Sequence, residues 1–229
     1  MGEGFLVTTS GTATWNPTFS DIIEEAYERA GVEIRSGYEL RTAVRSLQYL
    51  FAEWASRGLN LWTLEQETMT VNAGQSQYTM SADAIDAVEM TIQDSSMTQI
   101  TMERYSVSQW SQIPDKLTST GRPVAYFIQR LENAPIVNLY PIPDTQYTLV
   151  YWQLRRIQDV GSVMNTADMP FRFIPALVAG LAYHVAVKKQ QAANRVMPLK
   201  QAYDEAWQLA ADEDRDRSSF FFTPWCSVW

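Results

Sequence analysis

The spacing of apolar residues changes twice along this chain, and that change constrains the fold more than any other feature. Between residues 18 and 57 apolar side chains recur every three or four positions, as in amphipathic helices. From residue 64 to about residue 158 they mostly alternate with polar side chains, which is typical of β-strands. A helical period returns after Pro175. Two helical pairs around a β segment predict an α+β fold.

The first helical pair has recognisable ends. Thr18 followed by Asp21 resembles a capping box, and Gly31 is a natural stop, so we predict a helix from Thr18 to Ala30. A second helix is predicted from Tyr38 to Arg57, closed by Gly58. The apolar stripes of the two helices predict these core residues: Ile22, Ile23, Leu47, Leu50, Phe51 and Trp54.

The middle of the chain predicts six or seven short strands. Residues 68–80 suggest a hairpin with its turn near Asn72-Ala73-Gly74, and residues 87–103 suggest a second hairpin that turns at Asp94–Met97. A short helix is expected at 106–112. Strands are predicted at 125–129, 136–140 and 146–154. Short connections between many strands predict an antiparallel β-sandwich or a rolled sheet, inserted between the second and third long helices.

The second helical pair starts at Pro175 and at about Val196. The helix from Pro175 is apolar almost all round, so it is predicted to be buried. The simplest packing is a four-helix bundle made by both helical pairs. The predicted domains are an N-terminal arm (1–17), a helical bundle domain (18–63 and 170–217), an inserted β module (64–158) and a C-terminal docking tail (218–229).

The tail is unusually aromatic and follows the charged run Asp212–Arg217. Pro224 argues against a helix through it. A tail of this composition would be a sticky apolar surface in water, so we expect it to dock. Its own body, a neighbouring subunit and another protein are all open as docking sites. The predicted anchors are Phe220, Phe221, Phe222, Trp225 and Trp229.

Composition excludes several classes of protein. The formal net charge of −8 argues against a DNA-binding protein that grips phosphates with a basic face. A single Cys excludes an internal disulfide framework. The N-terminus lacks the pattern of a signal peptide, and no stretch approaches about 18 consecutive apolar residues, so no membrane span is expected.

Catalytic residues find little support. His184 is the only histidine and lies within an apolar helix, where a core or interface role explains it better than catalysis. Cys226 lies in the tail, far along the chain from any base. One His and one Cys exclude a metal site built from these ligands, and no cofactor-binding motif occurs, so no cofactor or metal is predicted. Two carboxylate clusters, Glu24-Glu25-Glu28 and Asp212-Glu213-Asp214, keep a glycan hydrolase open, although both positions suit solvated helix faces.

Several segments together resemble head-to-tail adaptor proteins of short-tailed and related tailed bacteriophages. In residues 19–62 the similarity lies in Phe19-x-x-Ile-Ile-x-x-Ala and, most recognisably, in Ala52-Glu-Trp-x-x-x-Gly58. Gly121-Arg-Pro-x-x-Tyr126, Leu139-Tyr-Pro-x-Pro-Asp144 and Tyr147-Thr-Leu-x-Tyr151 look like the β module of the larger members. The helical return near Pro175 is also similar. The resemblance covers about four fifths of the chain.

The resemblance implies a structural, non-enzymatic virion protein. Such adaptors form a ring, commonly of twelve copies, that joins the phage portal protein to the tail nozzle or tail hub. The ring extends the channel through which genomic DNA passes without sequence-specific binding. The resemblance also implies that the protein assembles in the host cytoplasm and lies in the virion neck. It further implies a C-terminal segment that binds the portal. A virion-associated peptidoglycan hydrolase and a neck stopper or capsid decoration protein remain as alternatives.

Overall fold

The computed structural model describes residues 10–57 and 61–214, and within them the chain forms two compact units. The helical unit comprises residues 10–56 and 158–213, and the β unit comprises residue 57 and residues 61–157. The helices are α1 (Phe19–Ala30), α2 (Gly37–Arg57), α3 (Val107–Gln112), α4 (Ile174–Lys188) and α5 (Val196–Glu213). The strands are β1 (Leu64–Val71), β2 (Gln77–Thr79), β3 (Ala84–Gln93), β4 (Gln99–Thr101), β5 (Glu103–Arg104), β6 (Ala125–Gln129), β7 (Ile136–Tyr140) and β8 (Tyr147–Arg155).

The mixed α+β class predicted from the sequence is confirmed by five α-helices and two four-stranded sheets. The four predicted long helices are present, and each begins within one residue of its predicted start. Short 3-10 turns precede three elements, at Leu61–Thr63, Phe171–Phe173 and Gln190–Arg195. The arrangement of the long helices as a four-helix bundle stays a prediction.

The N-terminus of α1 is hydrogen-bonded to a loop that lies more than 140 residues later in the chain. The Thr18 side chain accepts from the Asp21 N–H at 3.3 Å, and the Asp21 carboxylate accepts from the Thr18 N–H at 2.9 Å. The first two helical residues donate their N–H groups to the loop before α4. The Phe19 N–H donates to the Asn165 carbonyl at 2.9 Å, and the Ser20 N–H donates to the Val163 carbonyl at 2.8 Å. The donors that a helix N-terminus leaves free are thereby satisfied.

Helix α4 is the centre of the helical unit. Ten of its fifteen residues are buried, which fits its nearly uniform apolar sequence. Gly180 lies where other helices come closest. A Cβ atom placed there would be 2.9 Å from Leu50 Cδ2 on α2 and 2.9 Å from Tyr203 Cε2 on α5. The small residue therefore allows α4 to contact two neighbouring helices at once.

The β unit contains two sheets that share one hydrophobic core. Their strand orders are β1-β8-β3-β4 and β2-β7-β6-β5. Val71, Met90, Ile92 and Leu149 from the first sheet and Tyr126, Val137 and Leu139 from the second belong to the same buried cluster. A charged contact also links the sheets: Asp86 on β3 accepts two hydrogen bonds from Arg104 on β5, at 2.9 and 3.0 Å.

One predicted hairpin is wrong and the other is confirmed. Strands β1 and β2, expected to pair across Asn72–Gly74, belong to different sheets, with β1 paired to β8 and β2 to β7. The turn itself forms, with Gly74 at φ 79°, and its N–H donates to the Pro143 carbonyl. A turn sequence is local and does not determine which strands pair. The predicted hairpin over residues 87–103 forms as the antiparallel pair β3–β4.

The expectation of a purely antiparallel β module is wrong at one edge. Strand β5 pairs with β6 in parallel, with Glu103 opposite Ala125 and Arg104 opposite Tyr126. A parallel pair needs a crossover connection rather than a tight turn. The segment between the two strands, which contains α3, supplies that connection. Helix α3 is itself capped by Ser106 as the sequence indicates.

We expect the substitution Gly180→Ala to destabilise the helical unit by about 1–2 kcal/mol, because its methyl group would overlap Leu50 and Tyr203. This cost exceeds the roughly 1 kcal/mol that alanine gains over glycine within a helix. Urea unfolding followed by tryptophan fluorescence measures the change.

The matched control is Gly37→Ala at the start of α2, where an added Cβ meets nothing within 4 Å. We expect this variant to be neutral or more stable than the wild type by up to about 1 kcal/mol. Equal stability of the two variants would contradict the close packing at Gly180.

Candidate assembly surfaces

The structure places the six predicted core residues inside the helical unit. Ile22 and Ile23 lie on α1, and the other four lie on α2: Leu47, Leu50, Phe51 and Trp54. None is more than 6% exposed. The Phe51 ring packs against Phe19 with centroids 6.2 Å apart. These side chains hold the unit together and do not contribute a binding surface.

An aromatic cluster surrounds Trp54. Its ring lies 4.7 Å from the Trp207 ring and 6.0 Å from the Phe173 ring, between centroids. The indole Nε1 donates a 2.8 Å hydrogen bond to the Tyr203 hydroxyl, which donates to the Glu53 carboxylate at 3.3 Å. The sequence identifies Trp54 as a core residue, but its partners lie more than 100 residues away along the chain.

His184 lies at the margin of this network. Its Nε2 is 3.7 Å from the Glu53 carboxylate, and its side chain is 23% exposed. Burial lowers the pKa of His184, and the nearby Glu53 carboxylate opposes that shift. The structure therefore places His184 in a structural polar contact. Cys226, the only thiol, lies outside the described residues.

Most of the carboxylates considered for hydrolysis lie on exposed helix faces. Glu24, Glu25 and Glu28 lie on the exposed face of α1, where Glu25 pairs with Arg29 at 2.7 Å. Asp212 and Glu213 are exposed at the end of α5, whereas Asp214 is only 6% exposed, so the expectation of a solvated face is wrong for this third member of the cluster. Within residues 10–57 and 61–214, no group of three or more His, Cys, Asp or Glu side chains could hold a metal ion.

A general acid needs a raised pKa, and the clear shifts among the described carboxyl groups are in the other direction. The pKa of Asp21 is lowered by the hydrogen bond from Thr18. The pKa of Glu39 is lowered chiefly by its hydrogen bond from Lys189, and the pKa of Asp94 is lowered by Ser96. These groups serve as hydrogen-bond acceptors that stay ionised.

Two of the grooves on the helical unit lie beside α1. The α1 groove has a volume of about 650 Å³ and is lined by Ser20, Glu24, Tyr27, Glu28, Val32, Glu33, Ile34, Ser36, Gly37 and Leu40. Three glutamates therefore surround an apolar floor. The arm groove, of about 390 Å³, is lined by Trp15, Pro17, Asp21, Ile22, Glu25, Arg29, Ile174, Pro175 and Val178. Both grooves are open clefts on the outside of a unit whose interior is tightly packed.

Large apolar side chains are exposed on both units. On the helical unit the most exposed are Trp15, Tyr38, Tyr49, Met164, Phe171, Met197 and Leu209. On the β unit they include Met97, Val107, Leu117 and Trp152. Exposed aromatic residues are the type of side chain that dominates binding energy at protein interfaces. These side chains are available for contacts with other proteins.

Residues 171–188 are the one stretch in the described part of the chain that meets the length and hydropathy of a membrane-spanning helix. Of this stretch, 61% is buried inside the protein. That burial is typical of the core helix of a folded domain, and it agrees with the central place of α4.

The profile of the SU10 adaptor protein family matches residues 17–225. The chain belongs to this family. The match spans the helices and strands of both units, so the adaptor resemblance of the sequence is confirmed at the level of a phage adaptor family. No curated protein matches this sequence.

Membership of a phage adaptor family implies a structural, non-enzymatic role at the virion neck, with portal and tail proteins as partners in general. The exposed apolar side chains and the open grooves are surfaces that such partners could contact. The predicted docking residues Phe220, Phe221, Phe222, Trp225 and Trp229 lie outside the described residues.

We expect the helical unit to lose stability as the pH falls below about 6.5, the ordinary pKa of histidine. The folded state lowers the pKa of His184, so the unfolded chain binds the proton more tightly and acid favours unfolding. Urea unfolding at several pH values between 7.5 and 5.5 measures the effect.

The substitution His184→Gln should flatten this pH dependence, because the chain has no other histidine. A wild-type protein that is as stable at pH 5.5 as at pH 7.5 would contradict the lowered pKa of His184.

Proposed function

We propose that this protein is a head-to-tail adaptor that forms a ring beneath the portal and joins it to the tail nozzle or tail hub. The main support for this proposal is the match of residues 17–225 to the adaptor family. Resemblance to adaptors of short-tailed phages implies a ring of twelve copies. The tightly packed helical unit supports the proposal because a ring subunit must present its outer surfaces to neighbours without losing its own fold.

We infer that the four long helices form one bundle that serves as the ring-building domain. Contacts between Phe19 on α1 and Phe51 on α2 support this inference, as does the hydrogen bond from Trp54 on α2 to Tyr203 on α5. The domain comprises residues 18–63 and 170–217, with the arm 1–17 before it. The inserted β module, 64–158, is a separate surface for contacts with portal or tail proteins.

The charge of the chain supports a channel that DNA crosses without binding. A net charge of −8 on each copy gives a ring a strongly negative field. Repulsion of phosphates prevents genomic DNA from adhering to the lumen, and no sequence-specific contact is needed. The virion neck is the site of function, and assembly takes place in the host cytoplasm.

The C-terminal tail is proposed as the docking arm. Helix α5 extends to Glu213, and the charged residues Asp214–Arg217 separate it from the aromatic segment 218–229. Phe220, Phe221, Phe222, Trp225 and Trp229 are then anchors for pockets on the portal or on a neighbouring subunit.

We expect the free protein to be monomeric and to form rings only on the portal of the same phage. Native mass spectrometry of the free protein should show one copy, and the complex with the portal should carry twelve. Stable rings of the protein alone would contradict portal-dependent assembly. A defined ring with another number of copies would correct the twelvefold symmetry, and a portal that binds no adaptor would overturn the proposed function.

Deleting residues 218–229 should weaken portal binding by about 100-fold or more, because several aromatic anchors are lost together. The fold should remain, since the deletion begins after α5. Surface plasmon resonance on immobilised portal measures the affinity, and circular dichroism measures the helix content.

A more specific test replaces Phe220, Phe221 and Phe222 by alanine. The control variant replaces Ser218 and Ser219 by alanine. The phenylalanine variant should bind weakly and the serine variant normally. If the protein that lacks residues 218–229 binds the portal normally, the docking arm is refuted. Ring formation is tested separately, by the number of copies that native mass spectrometry counts on the portal.

A further inference from the structure

Helix α2 presents an exposed face on the helical unit. Tyr38 and Tyr49 are 66% and 64% exposed, and Arg41 and Arg45 are exposed between them. Among the described residues, neither arginine makes a hydrogen bond or an ion pair. These four residues, the α2 face, are one tyrosine–arginine surface along successive turns of one helix. Tyrosine and arginine are the residue types that most often dominate the energy of a protein interface.

The α2 face is positively charged because the acidic residues of the same helix point to other partners. Glu39 accepts from Lys189 and from the Arg35 N–H, and Glu53 contacts His184 and Tyr203. The pKa of Lys188 is lowered, first by burial and then by the positive charge of Arg45. Arg45 therefore has a positive neighbour in Lys188, and among the described residues no carboxylate forms an ion pair with either arginine.

The α1 groove has the opposite charge. Glu24 and Glu28 have no cationic partner among the described residues, and Glu33 pairs only with Arg35 at 3.3 Å. Both members of that pair are 79% exposed, so solvent screens their attraction and the pair is weak. Tyr27, Val32, Ile34 and Leu40 provide an apolar floor between the acids. The groove thus offers carboxylates for arginines and an apolar surface for aromatic rings.

The two surfaces face different directions on one subunit. Leu40 lines the α1 groove, and Arg45 follows it by five residues, which is about 140° around the axis of an α-helix. A closed ring requires two different, complementary surfaces on every copy, one for each neighbour. A positive tyrosine–arginine face and a negative groove with an apolar floor meet that requirement.

We propose that the α2 face of one copy docks in the α1 groove of the next copy around the ring. Arg41 and Arg45 face Glu24 and Glu28 of the neighbour, and the two tyrosines cover the apolar floor. This inference rests on the proposed ring and adds which surfaces build it. DNA is the competing occupant of the α2 face, but two free arginines on a chain of net charge −8 are a poor match for a polyanion.

Charge reversal on each side, with rescue, tests the contact. The first variant is Arg41→Glu with Arg45→Glu, and the second is Glu24→Lys with Glu28→Lys. The third combines all four substitutions in one chain. Each is added as the full chain to portal particles of the same phage, and native mass spectrometry counts the bound copies. Titration of the protein against portal particles gives the concentration at which rings are half complete, and sedimentation velocity checks that each free variant is a monomer like the wild type.

We expect the first and second variants to weaken association between copies by at least about tenfold and to leave incomplete rings, because like charges face each other. The combined variant should recover complete rings, since lysine then faces glutamate. The control Arg122→Glu with Lys200→Glu makes the same change in net charge on exposed residues outside both surfaces and should assemble normally. Recovery in the combined variant also shows that the substitutions leave the fold intact.

Failure of this inference is distinguishable from failure of the proposed function. Wild-type protein that forms no ring on the portal overturns the ring itself. Complete wild-type rings together with complete rings of the Arg41→Glu, Arg45→Glu variant overturn only the proposed contact. The same holds if that variant assembles normally but loses binding to duplex DNA in a gel-shift assay, because the α2 face would then be a DNA contact. The pairing is also overturned if the first and second variants both fail to form complete rings and the combined variant fails as well.

Discussion

The burial of α4 on nearly all sides is the constraint on which the helical unit depends. A helix with ten of fifteen residues buried has no polar face to turn to water, so other helices must surround it. Those helices come from both ends of the chain, α1 and α2 before the β unit and α5 after it. Gly180 allows the closest approach, because a side chain there would overlap Leu50 and Tyr203. The fold therefore requires the chain to leave the helical unit, build the β unit and return.

This construction suits an adaptor. The aromatic cluster at Trp54 and the hydrogen bonds through Tyr203 to Glu53 satisfy the interior of the helical unit without a neighbour. The outer faces of α1 and α2 are then available for assembly, since Glu24 and Glu28 on one and Arg41 and Arg45 on the other form no ion pair within the described part of the chain. A subunit with a self-sufficient interior can remain folded as a monomer and still present two different surfaces to a ring.

The sequence predicted local features well and long-range pairing less well. Helix starts and the β3–β4 hairpin follow from apolar spacing, capping residues and turn residues, which act over a few positions. The partners of β1 and β2 depend on strands more than 50 residues away, and a turn at Asn72–Gly74 carries no information about them. Glu24 and Glu28 were recognised as carboxylates on a helix face, but only the structure shows that they surround an apolar groove.

By itself, the sequence determined the α+β class, the ends of the long helices, the burial of α4 and the adaptor resemblance. Periodicity, caps and turns are properties of neighbouring residues, and each can be identified without knowledge of the rest of the chain. Only the tertiary structure decided the two sheets, the parallel pair β5–β6, the partners of Trp54 and the grooves of the helical unit. These features depend on contacts between residues far apart in the chain, and many alternative pairings share the same local pattern until the core is packed.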